Sequence, residues 1–165
     1  NDKPHVVYGY AAVDSAQTLT IQAGTHIYMH KNAILYVYKS TLNIQGTLGN
    51  EVIIEGDRLE QDYQNVSGQF YGIYFQQARP CTIDYAIIKN GTSGVHLYDE
   101  DPTNTGYTLT MTNTIIKNQK TYVKCENTKT SRYYGEAYAT AYIKGECVRT
   151  LHVLTEKTIT VNCGN

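Results

Sequence analysis

The chain has 165 residues, a formal net charge of −1 and 18% charged residues. These values fit one domain that can bury a hydrophobic core, and a charge so close to neutral argues against nucleic acid as a partner. No apolar run is long enough for a membrane-spanning helix, so we expect no transmembrane segment. Sixteen tyrosines against two phenylalanines and no tryptophan favour strands whose amphipathic rings can face water.

A short strand-like motif recurs along the chain. Thr18–Gln22 (TLTIQ) returns 23 residues later as Thr41–Gln45 (TLNIQ), and 67 residues after that as Thr108–Thr112 (TLTMT). We interpret the longer interval as three coils of roughly 22 residues. A longer copy aligns Thr82–Asn90 without gaps on Thr110–Asn118. Strand-forming residues repeated with such a period are typical of a stacked-coil solenoid.

Within each period, apolar residues stand two positions apart, which is the alternation of a β-strand. The pairs are Leu19/Ile21, Ile27/Met29, Leu35/Val37, Leu42/Ile44, Val52/Ile54, Ile73/Phe75, Val95/Leu97, Leu109/Met111 and Val123/Cys125. Stacked coils place equivalent inward residues above one another. We therefore predict three stacked inward pairs: Ile21 on Ile44, Ile73 on Val95, and Ile87 on Ile115.

Two polar excursions interrupt the period, at Arg58–Gln69 and at Asp99–Gly106. Insertions in a solenoid form loops on one side of the coils, which is often the functional side.

From Glu126 the repeat weakens, although Ala137–Lys144, Cys147–Leu154 and Thr158–Asn162 retain strand patterns. We predict an all-β fold: a right-handed parallel β-helix with an irregular C-terminal β closure. Residues 1–125 would form the coils with an N-terminal cap. Residues 126–165 would form irregular last coils or a C-terminal β cap of the same domain.

Five segments carry a resemblance to a known family: Lys3–Val7, Leu19–Thr25, Leu35–Tyr38, Gly56–Glu60 and Gly68–Phe75. In their order and spacing, residues 3–119 resemble secreted or surface right-handed parallel β-helix proteins of gut Bacteroidetes, within the pectate-lyase-like fold superfamily. The resemblance implies the β-helix fold and a location outside the cell, on the outer-membrane exterior. It implies no defined activity, since the family is described mainly by fold and location.

The superfamily also contains polysaccharide lyases and hydrolases, which act through calcium-binding acids, a basic residue or clustered aspartates. The acidic and basic candidates here lie on the two excursions: Asp57, Arg58, Glu60 and Asp62 on the first, and Asp99, Glu100 and Asp101 on the second. They show neither paired aspartates nor a lyase or hydrolase motif, so we predict no catalytic residue. Asp99, Glu100 and Asp101 could supply oxygen ligands for calcium, the one cofactor hypothesis, with a solvated acidic loop as the alternative.

Tyrosines are the better binding candidates. Tyr36 and Tyr38 share one outward strand face, and we predict that Tyr28, Tyr71 and Tyr74 lie near them on adjacent coils. Such rings suit the apolar face of a sugar, and the alternative is that they simply cover the outer sheet surface.

Threonines and cysteines give weaker signals. Threonines recur at Thr18, Thr20, Thr41, Thr108, Thr110, Thr158 and Thr160, and flat threonine arrays on solenoids can order water and bind ice. The three coils expected between Thr41 and Thr108 do not continue this array, which argues against it. Cys81 is expected to be a lone thiol, and the other three cysteines could form one disulfide or stay reduced. These three are Cys125, Cys147 and Cys163.

The sequence therefore favours a non-catalytic module outside the cytoplasm that binds a polysaccharide or a surface protein. The alternatives are a polysaccharide lyase or hydrolase, and a structural subunit that self-associates through its coil ends.

Overall fold

The computed structural model describes residues 3–99, 108–127, 131–135, 139–143, 146–150 and 159–162. Strands form most of this part, and its single helical element is a 3₁₀ turn at Gln61–Tyr63. Asp99–Gly106, the second predicted excursion, lies outside the described residues except for Asp99.

Four coils of three strands each follow one another along the chain. The first contains β1 (His5–Val7), β2 (Tyr10–Asp14) and β3 (Thr18–Gln22), and the second contains β4 (His26–Met29), β5 (Ile34–Tyr38) and β6 (Thr41–Gln45). The third contains β7 (Val52–Gly56), β8 (Gly72–Gln76) and β9 (Cys81–Asp84), and the fourth contains β10 (Ala86–Lys89), β11 (Ser93–Asp99) and β12 (Thr108–Thr112). A further turn begins with β13 (Ile115–Lys117) and β14 (Thr121–Asn127).

Equivalent strands of successive coils pair in parallel and form three sheets. Sheet A contains β1, β4, β7, β10 and β13; sheet B contains β2, β5, β8, β11 and β14; sheet C contains β3, β6, β9 and β12. Consecutive strands thus belong to different sheets, while hydrogen-bonded neighbours come from successive coils. This arrangement is a parallel β-helix, as predicted.

The last strands do not continue the parallel coils. They are β15 (Ser131–Gly135), β16 (Ala139–Ile143), β17 (Glu146–Thr150) and β18 (Ile159–Asn162). β15 pairs antiparallel with β14 at the end of sheet B, and β18 pairs antiparallel with β12 at the end of sheet C. β16 and β17 form an antiparallel pair of their own. The predicted C-terminal β closure is therefore built from antiparallel pairing.

The register of the coils follows the sequence repeat. Ile21 pairs with Ile44, Ile73 with Val95 and Ile87 with Ile115, as predicted. The prediction that three coils separate Thr41 from Thr108 is wrong, because only one strand of sheet C, β9, lies between β6 and β12. The excursion between Gly56 and Gly72 lengthens the third coil, so a constant period of roughly 22 residues overcounts the coils.

The core runs along the inside of the three sheets. In β5 to β9, the side chains of Val37, Leu42, Ile44, Ile54, Ile73, Phe75 and Ile83 are all completely buried. The alternation predicted from the sequence is confirmed in all three sheets where the side chains are described, including Ile27/Met29 and Val52/Ile54 in sheet A. Ile87 and Ile115 are an exception, since they face outward and are partly exposed, while Ile88 and Ile116 fill the core. The register explains this phase, because Ile88 pairs with the buried Ile54 on one side and with the buried Ile116 on the other.

Single residues with a left-handed backbone form corners between the sheets. Lys39 and Gln77 occupy the corner from sheet B to sheet C, both at φ 48°, and Asn90 and Asn118 occupy the corner from sheet A to sheet B. Asparagine tolerates this conformation better than other residues with a side chain. These sharp corners keep the three outer faces separate, so the sheet that carries a residue decides which surface it joins.

Candidate functional site

Four of the five predicted tyrosines meet on the outer face of sheet B. Tyr36 and Tyr38 occupy outward positions of β5, Tyr74 occupies an outward position of β8, and Tyr71 directly precedes β8. They point outward because the residues that alternate with them fill the core: Leu35, Val37, Ile73 and Phe75.

The parallel register brings these rings together. Tyr36 lies opposite Tyr74, and their ring centroids are 5.5 Å apart with an interplanar angle of 21°. Tyr38 is nearly parallel to Tyr36, at 5° and 6.1 Å. Tyr98 on β11 continues the group at 6.4 Å from Tyr74. We call these four residues together with Tyr71 the tyrosine face.

Two side chains hold the tyrosine face in place. The hydroxyl of Tyr36 donates a hydrogen bond to Oε1 of Gln76 on the neighbouring strand. The hydroxyl of Tyr71 lies 2.8 Å from Nδ1 of His96, which is only 2% exposed although it occupies an outward strand position. The ring of Tyr74 packs edge-on against His96, with the centroids 4.5 Å apart. Hydrogen bonds and a ring contact therefore restrict the positions of Tyr36, Tyr71 and Tyr74.

An open depression of about 460 Å³ borders the tyrosine face. It is lined by Tyr10, Asn32, Ile34, Tyr36, Tyr71 and Tyr74. The lining contains no Asp, Glu, His, Lys or Arg, and Tyr10 is 78% exposed. The depression thus combines aromatic surface with hydroxyl groups and one amide.

Sequence reasoning missed Tyr98, His96 and Tyr10 as members of this surface. Tyr98 and His96 follow the same alternation as Tyr74, since β11 is in register with β8. The alignment of Ile73 with Val95 was available from the sequence and could have identified both. Tyr10 could have been found in the same way, because the first coil repeats the spacing of the second.

The predicted position of Tyr28 near the other tyrosines is wrong. Tyr28 lies on β4 in sheet A, where its ring contacts His26 with a centroid distance of 4.2 Å. A corner of the solenoid separates β4 from β5, so the two strands face different sides of the molecule. The sequence spacing between Tyr28 and Tyr36 did not reveal that corner.

Three of the four candidate residues at the first excursion contact another ionisable side chain. Oδ2 of Asp57 lies 2.5 Å from Nδ1 of His30, and Arg58 contacts Glu60 at 3.1 Å. The Arg58 guanidinium also lies 3.8 Å from the ring centroid of Tyr63. The pKa of the Glu60 carboxyl is lowered mainly by a hydrogen bond from its own backbone N–H. A hydrogen bond from Arg58 lowers it further. Asp62 lies in the first turn of the 3₁₀ element.

The calcium hypothesis is not tested by the structure. Asp99 is the last residue of β11, and Glu100 and Asp101 lie outside the described residues. Within the described part of the chain, no three His, Cys, Asp or Glu side chains are arranged to hold a metal ion.

Cys81 is a free, buried thiol, as predicted. Its Sγ accepts a hydrogen bond from the backbone N–H of Leu42 at 3.2 Å and donates one to the carbonyl of Arg79 at 3.1 Å. Burial raises the pKa of this thiol to about 11. The side chains of the other three cysteines, at 125, 147 and 163, lie outside the described residues.

Comparison with known proteins gives no match: no family model, no curated protein and no solved structure matches this chain. The helical part of the described chain contains nothing long and apolar enough to cross a membrane. The resemblance to Bacteroidetes surface proteins stays a prediction, and the functional argument rests on the geometry of the site.

Proposed function

We propose that the chain is a non-catalytic β-helix module that acts outside the cytoplasm and binds neutral polysaccharide on its tyrosine face. The observation that carries this proposal is the depression between Tyr36, Tyr71 and Tyr74, where fixed aromatic rings adjoin uncharged polar groups. The resemblance to secreted or surface proteins of Bacteroidetes supports the location, on the bacterial exterior.

The chemistry of the depression suits a sugar. Aromatic rings cover the apolar C–H face of a pyranose, while the tyrosine hydroxyls and the Asn32 amide can hydrogen-bond its hydroxyls. Its volume of about 460 Å³ lies within the range of small-molecule sites. Because no charged side chain lines it, a neutral glycan fits better than a uronate, whose carboxylate would need a cationic partner.

The hydrogen bonds that hold the tyrosine rings in position favour binding as well. The hydrogen bonds of Tyr36 to Gln76 and of Tyr71 to His96 restrict rotation before any ligand arrives. A ligand then loses less free energy to side-chain ordering. The same property would serve a protein ligand, which is the alternative occupant of this face.

Polysaccharide cleavage is the alternative in a different functional class. It would rely on the acids of the first excursion, but Asp57 and Glu60 already pair with His30 and Arg58. No described pair of carboxylates flanks the depression, which is why binding is the preferred function.

The decisive experiment is calorimetric titration with soluble xylan, glucomannan and mixed-linkage β-glucan, and with polygalacturonate as the charged counterpart. We expect binding to at least one neutral polymer and none to polygalacturonate. Tyr36→Ala and Tyr74→Ala should each weaken binding by about tenfold, the equivalent of about 1.4 kcal/mol. Tyr28→Ala is the matched control, because it removes a tyrosine from sheet A and should leave the affinity unchanged.

Three results would contradict the proposal. The first is that no neutral polymer binds, and the second is that Tyr28→Ala weakens binding as much as Tyr36→Ala. The third is that the polymer becomes shorter during incubation, measured by light scattering, which would place the enzyme alternative first.

A further inference from the structure

The outer face of sheet C carries a regular array of short hydroxyl and amide side chains. Its central column runs across four parallel strands through Thr20, Asn43, Thr82 and Thr110, each in register with the next. The backbone register extends to Thr160 on β18. A second column begins two residues earlier with Thr18 and Thr41, which are also paired. We call these two columns the threonine lattice.

The structure corrects the expectation that this array is interrupted. Thr41 and Thr108 were expected to be separated by three coils without suitable threonines. Only β9 lies between their strands, and it contributes Thr82 in register with both Asn43 and Thr110. The central column therefore has a short polar residue on every strand of the sheet.

The spacing of the lattice is set by the backbone. Neighbouring strands lie about 4.8 Å apart, and outward residues on one strand repeat about every 6.7 Å. Threonine is stiff at χ1 because it is β-branched, so its hydroxyl keeps its position relative to the sheet. The result is a column of four polar side chains at intervals of about 4.8 Å, with Thr18 and Thr41 beside its first two members.

The lattice is accessible and uncharged. Thr18, Thr20 and Thr82 are exposed, and Thr41, Asn43 and Thr110 are partly exposed. Thr82 donates a hydrogen bond to the Oδ1 atom of Asn43 at 3.0 Å, which links two strands within the central column. No charged residue occurs among these six.

The flanking column is less uniform and contains Gln22, Gln45, Asp84 and Thr112 in register. Oδ1 of Asp84 accepts hydrogen bonds from Oγ1 of Thr112 at 2.6 Å and Nδ2 of Asn113 at 2.9 Å. This carboxylate is thus hydrogen-bonded to two neighbouring side chains at the edge of the threonine lattice.

The other two outer faces have a different chemistry. On sheet A, Glu55 contacts His26 at 2.6 Å and Lys89 at 2.5 Å, so that face carries an ionic network. Sheet B carries the tyrosine face. The threonine lattice is the one of the three whose central column carries a short uncharged polar side chain, threonine or asparagine, on every parallel strand of its sheet.

We propose that the threonine lattice binds ice. Hydroxyls at fixed intervals order the water molecules bound to them, and the threonine methyl groups restrict those molecules to a few positions. Spacings of this size are comparable with the separations of oxygen atoms on an ice surface, so the ordered layer can merge with a growing crystal. Ionic side chains orient water around single charges instead, and the two columns contain none. This inference is independent of the polysaccharide site, which lies on another sheet.

Ice-affinity partitioning of the purified chain tests the proposal, with inhibition of ice recrystallisation as a second readout. We expect the chain to be enriched in slowly grown ice and to keep the crystals small. Thr82→Lys places a long charged side chain in the centre of the lattice and should abolish both effects. Its fold is checked by an unchanged melting temperature, since Thr82 is exposed.

Thr47→Lys is the matched control, because Thr47 lies on an exposed turn outside the two columns. It should retain both effects, and so should Tyr36→Ala, which affects only the tyrosine face. Exclusion of the original chain from ice, with normal recrystallisation, would overturn the proposal. Equal ice binding by the original chain and Thr82→Lys would also overturn it.

Discussion

At the scale of the residue, Cys81 shows how the solenoid core makes a reactive group inert. Its thiol is 2% exposed and accepts a backbone hydrogen bond from Leu42 on the adjacent strand. Burial disfavours the charged thiolate, and the pKa rises from 9.0 to about 11. Because the thiolate is the nucleophilic form, both access and ionisation limit reaction at neutral pH.

We predict that Cys81 resists alkylation by iodoacetamide at pH 7.5 while the chain is folded and reacts readily in concentrated urea. Peptide mapping by mass spectrometry measures the modified fraction of each cysteine separately, so the other three need not be replaced. Raising the pH from 8 to 10 should leave the native protection of Cys81 largely intact, since its pKa lies above this range. Equal modification in native and denatured protein would show that the site is open.

At the scale of the element, the phase of a strand decides which of two adjacent isoleucines builds the core. β10 contains Ile87 and Ile88, with Ile88 completely buried and Ile87 on the outer side. The sequence cannot choose between them by hydrophobicity, since both positions carry the same residue. The register with β7 decides it, since Ile88 pairs with the buried Ile54 and Ala86 with the buried Val52.

We predict that Ile88→Ala lowers the free energy of unfolding by about 2–5 kcal/mol, because it leaves a cavity in the core. Ile87→Ala is the matched variant on the same strand and should cost less than about 1.5 kcal/mol, since less apolar surface leaves the protein interior. Urea denaturation followed by circular dichroism measures both. A larger loss for Ile87→Ala would reverse the assigned phase.

Strand positions were predictable because the alternation of apolar residues is a local signal. The positions of Leu42 and Ile44, or of Ile73 and Phe75, follow directly from it. The corners were less predictable, since Lys39 and Gln77 adopt a left-handed backbone without the glycine or asparagine that would announce it. The wrong neighbourhood for Tyr28 comes from the corner between β4 and β5, whereas Thr82 was not connected with the other threonines because a constant period overcounts the coils.

At the scale of the whole molecule, the two ends of the solenoid differ. At the C-terminal end, β15 and β18 cover the last parallel strands of sheets B and C. At the other end of the described part of the chain, β1, β2 and β3 are the outermost strands of their sheets. Three apolar side chains on these strands are only partly buried: Val7, Ala11 and Leu19. Their partners on the second coil, Met29, Leu35 and Leu42, are buried.

This asymmetry has a consequence for local stability. In a solenoid, each coil is stabilised mainly by its neighbours, so a coil with one neighbour has roughly half the interfaces of a central coil. Opening of the first coil exposes little core and breaks hydrogen bonds along one edge only. Opening of the third coil would separate β7, β8 and β9 from partners on both sides.

We therefore predict that backbone amides of β1–β3 exchange with deuterium well before those of β7–β9, at a pH and temperature where the chain is folded. Hydrogen-exchange mass spectrometry of peptic peptides measures this, since exchange by local opening reports the stability of each segment separately. Val13→Ala should accelerate exchange in the first coil and leave β7–β9 unchanged, because the two regions open independently. Simultaneous exchange of both regions would mean that the coils unfold as one cooperative unit, with the edge contributing as much to stability as the centre.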